Sequence, residues 1–332
     1  MKTRLSSIWQ PGAAVHERRV ERAHTAVVVA LLAMIALIAV TVFSKAWPSF
    51  SHNGIAWFGS GGDVDSQLSA MINGPKDPAH YVYHFRAWPL IWGTLLTSGM
   101  AVLLGMAVSI LAAVFIVEFA PGGVRRVIDP AVRLLAGVPS VVYGLIGILA
   151  IAPWVEHNLI STQRKRSVEY VVQLTGANLS VATLILTLMI VPIMVAIVVS
   201  ALEAVPRSWS EGSAALGANR WRTMWRVSLR TARPAIIAAA VLAAARALGE
   251  SIMLSMVSGS RGFAPNPLDG LTFFYEPVRP LAATIIDYID SLSVTPLGET
   301  IYAMTAVLLV SCGLLSLAGW AAKQQMKRYG MR

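Results

Sequence analysis

Residues 203–234 read Glu203-Ala-Val-Pro206-Arg-Ser208-Trp-Ser-Glu211-Gly-Ser-Ala-Ala-Leu-Gly217-Ala-Asn219-Arg-Trp221-Arg-Thr-Met-Trp225-Arg-Val227-Ser-Leu229-Arg-Thr-Ala-Arg233-Pro234. The stretch is polar and basic, and long apolar runs bracket it. That bracketing decides the fold class. Runs without a charged residue lie at 25–44, 87–117, 134–155, 170–202 and 300–322. A sixth, at 234–258, is as apolar but is interrupted by Arg246 and Glu250. A membrane-spanning helix needs roughly 20 mostly apolar residues, so the chain is expected to be an all-α membrane protein with six transmembrane helices.

Composition agrees. Apolar residues make up 56% and charged residues 13% of the 332, against about 45–50% and about 25% in soluble domains. The first run resembles a signal peptide in having Arg18, Arg19 and Arg22 before it. Its apolar core is longer than a typical h-region and no small-residue cleavage site follows, so it reads as a retained anchor. Cys312 is the single cysteine, which excludes an intrachain disulfide and a cysteine metal cluster.

The net charge of +10 follows membrane orientation rather than nucleic-acid binding. Lys and Arg number five in 1–22, three in 118–133, six in 203–233 and four in 323–332. The opposite segments hold three in 45–86, three at 164–166 and two in 259–299. The excess places both termini and the 203–235 loop in the cytoplasm, with Arg164-Lys-Arg166 as the misfit. The resulting organisation is a cytoplasmic segment 1–24, a first span 25–44, an extracytoplasmic segment 45–86, a core 87–322 and a cytoplasmic tail 323–332. Segments 45–86 and 259–299 are either a receiving surface for a soluble donor or passive connections.

Within the opening stretch, Ser208 and Glu211 match a capping box, in which the Ser oxygen accepts a free N–H and the Glu reaches back. Gly217 suits the left-handed turn that closes a short helix. A second helix is expected from about Asn219, with Arg222, Arg226, Arg230 and Arg233 along it and Trp221 and Trp225 beside them. That helix suits the lipid interface, arginine to phosphate and tryptophan at headgroup depth. The capped helix before Gly217 has no use in lipid and is expected to dock a partner.

In the sixth run, Arg246 and Glu250 lie about 18 Å and about 24 Å beyond Pro234 along a continuous helix. Each ion near the bilayer centre costs roughly 2.5–3.5 kcal/mol. Four residues apart, they share a helix face and can pair. A guanidinium presents a fork of donors that fits phosphate oxygens, and Glu250 could hold it while the path is empty. The other reading is a structural ion pair that fixes packing. In the third run Gly137, Pro139, Ser140 and Gly144 are expected to interrupt the helix; such breaks either expose backbone to a transport path or only shape the bundle.

A resemblance appears on these residues. Glu211-Gly-Ser-Ala-Ala-Leu-Gly217, nine residues, then Val227-Ser-Leu229 is similar to the EAA loop of binding-protein-dependent ABC importer permeases. Gly212 and Ser213 stand where that family usually has alanines, and Arg230 where proline is common. Val117-Glu118-Phe-Ala-Pro121, Leu135-Ala-Gly-Val-Pro-Ser-Val-Val-Tyr-Gly144 and Ala245-Arg246-Ala-Leu-Gly-Glu250 resemble the phosphate-specific permeases of the Pst system, the PstC-type subunit more than its PstA-type sister. The resemblance implies a six-helix ABC type-1 (MetI-like) permease bundle in the cytoplasmic (inner) membrane. It further implies coupling to a cytoplasmic ATPase through Glu211, Ala215, Leu216 and Gly217, and phosphate transport past Arg246 and Glu250. The implied partners are a second related permease subunit and an extracytoplasmic phosphate-binding protein.

No Gly-x-x-x-x-Gly-Lys-Ser/Thr occurs, so the chain is not expected to hydrolyse ATP. The histidines are scattered; His80 and His84 share a four-residue spacing without a third ligand, and neither a metal nor a cofactor is expected. Three rivals stand beside the importer permease: the same machine carrying another oxyanion or acting as the sister subunit, an ion-coupled transporter or channel, and a membrane hydrolase. The hydrolase would need a nucleophile–base or metal cluster at membrane depth, and the sequence has none.

Overall fold

The computed structural model describes residues 11–74 and 83–328; His80 lies outside the described residues. Among the described residues, six helical stretches are long and apolar enough to cross a membrane: Glu21–Phe58, Trp88–Phe119, Ser140–Asn158, Leu179–Glu203, Arg220–Leu248 and Leu297–Ala321. Helix α1 (Pro11–Asn53) leads through a 3-10 turn, Gly54–Phe58, to the short α2 (Val64–Asn73). Helices α3 (Trp88–Val114), α4 (Gly122–Ala136), α5 (Ser140–Ile146), α6 (Ala152–Asn158) and α7 (Thr162–Val168) follow. Then come α8 (Leu179–Glu203), α9 (Arg207–Ala215), α10 (Arg220–Thr223), α11 (Leu229–Leu248), α12 (Ile252–Val257), α13 (Leu281–Asp287) and α14 (Leu297–Arg328).

The bundle is organised around α8, which is apolar on all sides and the most buried of the six spans. It runs alongside α3, where small residues let the backbones approach. A Cβ on Gly105 would meet Ile190 at 3.3 Å and Met194 Sδ at 3.4 Å, the close packing that replaces hydrophobic driving force inside lipid. Asn178 starts α8, its Oδ1 accepting from the Val181 N–H at 3.1 Å. This cap trims the apolar run expected from residue 170, since residues 172–175 have no helical structure. Helix α11 packs on α8, α14 and α3, whereas α1 packs on α14 and leaves Leu31, Leu32, Ile35, Leu37 and Val40 uncovered. An apolar helix with that much bare surface is suited to lipid.

Two expected spans are cut. Residues 134–136 belong to α4, which ends at Gly137; the third crossing starts only at Ser140, after Pro139. The run expected at 234–258 is not one helix either. Helix α11 stops at Leu248, the chain turns at Gly249–Ser251, and α12 begins at Ile252. Apolar composition continues across both cuts; helical backbone does not.

The connections at the end of the bundle remote from the 204–219 loop, called here the far end, have a core of their own. Trp57, Val64, Leu68, Met71 and Phe85 pack with Leu281, Leu297 and Ile301. Full burial of each large side chain contributes about 1.5–3 kcal/mol, which gives these segments a fixed shape. Between them lies a cleft of about 650 Å³ with Asp63, Asp65, Trp88, Glu169, Arg261 and Phe263 on its walls.

Candidate functional site

Two places gather the residues singled out from the sequence. The first is α9 and the turn after it. No residue of α9 is buried, and Trp209 and Leu216 are 53% and 90% exposed. Glu211, Ala214 and Ala215 are exposed as well. The helix ends in a Schellman motif: Gly217 has φ +81°, its N–H donates to Ala214 O at 2.9 Å, and the Ala218 N–H donates to Ser213 O at 3.2 Å. A hydroxyl bond of 2.9 Å between Ser213 and Thr223 ties α9 to α10, and Asn219 caps α10 by accepting from the Arg222 N–H at 2.8 Å. The result is a small knob, with Trp209 and Leu216 bare on its surface, that projects from the bundle without being covered by it.

The expected capping box does not form. Pro206, with φ −58°, is the N-cap residue, and its ring sets the helical turn in motion at Arg207. Ser208 is therefore already inside the first turn. Glu211 instead borders a recess shared with Glu118, Arg125, Glu203 and Arg207. Arg125 pairs with Glu203, pinning α4 to the end of α8, and, at 3.6 Å, with Asp129 on its own helix. On the outer side of this region Phe119, Trp221 and Trp225 form a short aromatic row with centroid separations of 6.3 and 5.6 Å.

The second place is where the cut spans meet. Arg246 and Glu250 do not share a helix face, because the chain leaves the helix between them. Arg246 sits in the last turn of α11 and is exposed. Glu250 is 9% exposed, and its Oε1 accepts from the Met253 N–H at 3.2 Å, capping α12. No ion pair joins the two among the described residues, so the expected pairing is replaced by two separate roles. The cause is the turn at Gly249–Ser251: once the carboxylate has a backbone donor at a helix start, it is stabilised without the arginine.

Of the residues expected to break the third span, Gly137 and Pro139 do so, and Ser140 opens α5. Gly144 does not; it lies inside α5, where a Cβ would stand 2.8 Å from Met256 Sδ and 3.3 Å from Met253 Cα. Its lack of a side chain lets α12 press against α5. Gly147 repeats the device, with Val257 Cγ1 2.6 Å from its would-be Cβ. Tyr143, not singled out from the sequence, is buried beside Gly144, donates to Leu135 O at 3.0 Å and lies within electrostatic reach of Arg246. Its position was legible only as part of the Val-Val-Tyr-Gly string, since the fold alone supplies its carbonyl partner. Arg246 thus stands without an ion pair to a carboxylate among the described residues, next to the turn at Gly249–Ser251, exposed on a side of the bundle this chain leaves open. Such a group can take an oxyanion.

The sequence matches the family model described as binding-protein-dependent transport system inner membrane component over residues 105–321. Among curated relatives, a probable ABC transporter permease protein, YqgH, of Bacillus subtilis (strain 168) is 32% identical over 243 residues, 72% of each chain. The phosphate transport system permease protein PstC 1 of Mycobacterium tuberculosis (strain ATCC 25618 / H37Rv) is 32% identical over 253 residues, 74% of this chain and 73% of that one. The PstC of Pasteurella multocida (strain Pm70) is 26% identical and covers 85% of this chain and 86% of its own length. An inward-facing MetNI methionine ABC transporter structure matches with a TM-score of 0.52 over 72% of this chain and 96% of that chain; at 18% identity it speaks for the fold. Six apolar spans and a match over most of the chain place this protein in the family of binding-protein-dependent transport system inner membrane components.

Proposed function

We propose that the chain is the PstC-type permease subunit of an ATP-driven phosphate importer. As a membrane component of its family it is a permease subunit and not an enzyme. The observation that carries the cargo assignment is Arg246, an exposed guanidinium in the last turn of α11 with no ion pair to a carboxylate among the described residues. A guanidinium fork fits two oxygens of a tetrahedral oxyanion, and the PstC names of relatives at 26–32% identity support phosphate as that oxyanion. With Glu250 occupied at the start of α12, the cation is free for each arriving anion.

The rest of the machine follows from the same logic. The open side bearing Arg246 is covered by a second, related permease subunit, and the path runs between the two. The α9 knob, through Glu211, Ala215, Leu216 and Gly217, seats in a separate ATPase. The basic excess makes that end cytoplasmic. The far-end cleft and α2 receive an extracytoplasmic phosphate-binding protein. An ion-coupled transporter would leave a projecting, uncovered α9 without a task.

The test is phosphate uptake by vesicles holding the assembled complex with ATP inside. Arg246→Gln is expected to abolish uptake while the subunits still co-purify. Wild-type uptake by that variant removes Arg246 from the mechanism. Preference for sulfate or molybdate over phosphate in competition would keep the machine and change its cargo.

A further inference from the structure

Arg279 lies between Val278 and the start of α13 and is 9% exposed. A buried guanidinium must be paired on every side or it destabilises the fold. Its Nη1 donates to Asp65 Oδ1 on α2 at 2.5 Å, and its Nη2 donates to the Ser260 carbonyl. Asp65 in turn accepts from the Gly262 N–H through Oδ2 at 3.3 Å. On the other side, Nε faces Asp287 Oδ2 at 3.8 Å, too far for a hydrogen bond, and this N–H has no other acceptor among the described residues. Asp287 is itself held by the Ser255 hydroxyl, on α12. A continuous polar chain therefore runs from α2, through Arg279, to the middle of α12. It is closed at the α2 end and has one slack link at the α13 end.

We infer that Arg279 is a positioning residue for transport, linking α2 at the far end to α12, so that a shift of α2 resets the helix that Glu250 caps. The slack link supplies the second state. Shortening the Nε–Asp287 separation by about 0.9 Å would make a normal hydrogen bond and satisfy a buried donor. Asp287 would carry Ser255, and with it α12, whose Met253 and Met256 lie against Gly144. Binding of a soluble protein at α2 can provide that shift, because Asp65 occupies the wall of the cleft and holds Arg279 at once. This inference rests on the importer reading, with α2 on the receiving side.

The experiment uses the complete complex in lipid nanodiscs, both permease chains and the ATPase, with the phosphate-loaded binding protein added at increasing concentration. ATP hydrolysis is measured without it and with it. Asp287→Asn and Ser255→Ala are expected to lower the maximal stimulated rate at least about fivefold, the lower range of site-to-site coupling. The unstimulated rate and the half-saturating concentration of binding protein should stay as in the wild type. Arg279→Lys, which keeps the charge and loses the fork, should fall between them and the wild type. A parallel loss of the unstimulated rate would make the cluster structural, and a raised half-saturating concentration at full maximal rate would make it part of the docking surface; either overturns the inference. So does an unchanged response in both variants. If Arg279→Lys does not assemble, Ser255→Ala, which deletes one hydroxyl, decides alone. Wild-type complex that ignores the binding protein altogether would instead sink the importer reading.

Discussion

The turn after α9 allows one chemical change to have opposite effects five residues apart. Gly217 has φ +81° and no heavy atom within 4 Å of a would-be Cβ. Alanine there meets no clash, so its whole effect is the left-handed backbone, roughly 1–2 kcal/mol for an L-residue. Relief requires unwinding the last turn, which gives up the Gly217–Ala214 and Ala218–Ser213 hydrogen bonds, each about 1 kcal/mol net. Gly212 also has open space around its would-be Cβ, but it lies inside α9 with helical geometry. Alanine there stabilises the helix by about 0.8–1.0 kcal/mol. If the ordered α9 is what the ATPase grips, Gly217→Ala should weaken ATPase binding by about 5- to 30-fold, while Gly212→Ala should leave it equal or tighter. Gly217→Asn should lose less than Gly217→Ala, because asparagine tolerates the left-handed region; Gly217→Val should lose more. The measurement is the affinity of purified ATPase for nanodisc-held permease pairs, with ATP-driven uptake as the companion. Equal damage from Asn and Ala, or a Gly217→Ala complex of wild-type affinity, would refute the backbone argument.

Further expectations concern the helix junction and the far end. Gly144→Ala should destabilise the bundle by about 1–3 kcal/mol, because Met256 can swing aside but the Met253 backbone must shift. Gly99→Ala and Gly313→Ala, with nothing within 4 Å of the new carbon, are the matched controls, and thermal unfolding in nanodiscs separates them; a Gly144→Ala chain as stable as both controls refutes the close packing. At the far end, burial first and the neighbouring Asp269 charge second push the Glu276 carboxyl up to about 7. The native chain then holds a proton that the unfolded chain releases above its ordinary value of 4.5. Stability from this group is full below pH 4.5, falls as pH rises to 7 and is flat beyond. Glu276→Gln should remove that slope, which unfolding midpoints at pH 5 and pH 8 will show; a slope unchanged in the variant assigns it elsewhere. Arg125→Ala should loosen α4 from α8 by removing the pair with Glu203 and also loses the pair with Asp129 inside α4. Both residues of each pair are partly exposed, so the expected loss is small, about 1 kcal/mol or less, read as faster proteolysis within 120–137.

The six crossings were readable because hydropathy is a property of composition, and lipid demands it residue by residue. The helix ends were not. The run 234–258 is apolar throughout apart from Arg246 and Glu250, yet α11 stops at Leu248, since whether a backbone continues through Gly249 depends on what α5 and α13 leave room for. The capping box failed for a local reason: a proline two residues ahead of Ser208 outranks a serine in setting where a helix starts. Gly217 was readable because a left-handed turn selects glycine regardless of surroundings. Arg279 was counted only as one loop charge, because its partner Asp65 is 214 positions away and no pattern within a segment links them.

The separation of Arg246 from Glu250 changes what the pair can do. Joined on one helix face, the two would neutralise each other, and an anion would have to displace the carboxylate at each passage. Parted by the turn, Glu250 belongs to α12 and Arg246 to α11, so their relative placement is set by wherever α12 lies. Helix α12 is held by Glu250 at its start, by Ser255 bound to Asp287, and by Met253, Met256 and Val257 against the bare backbones of Gly144 and Gly147. A displacement of α12 therefore moves a carboxylate relative to the Arg246 guanidinium, which has no ion pair among the described residues. With Arg246 as the proposed anion site, a carboxylate that moves closer repels the anion and one that moves away leaves it held. Under the proposed role of Arg246, a single short helix can in this way make anion binding strong in one state and weak in the other, which a carrier needs and a fixed ion pair cannot give.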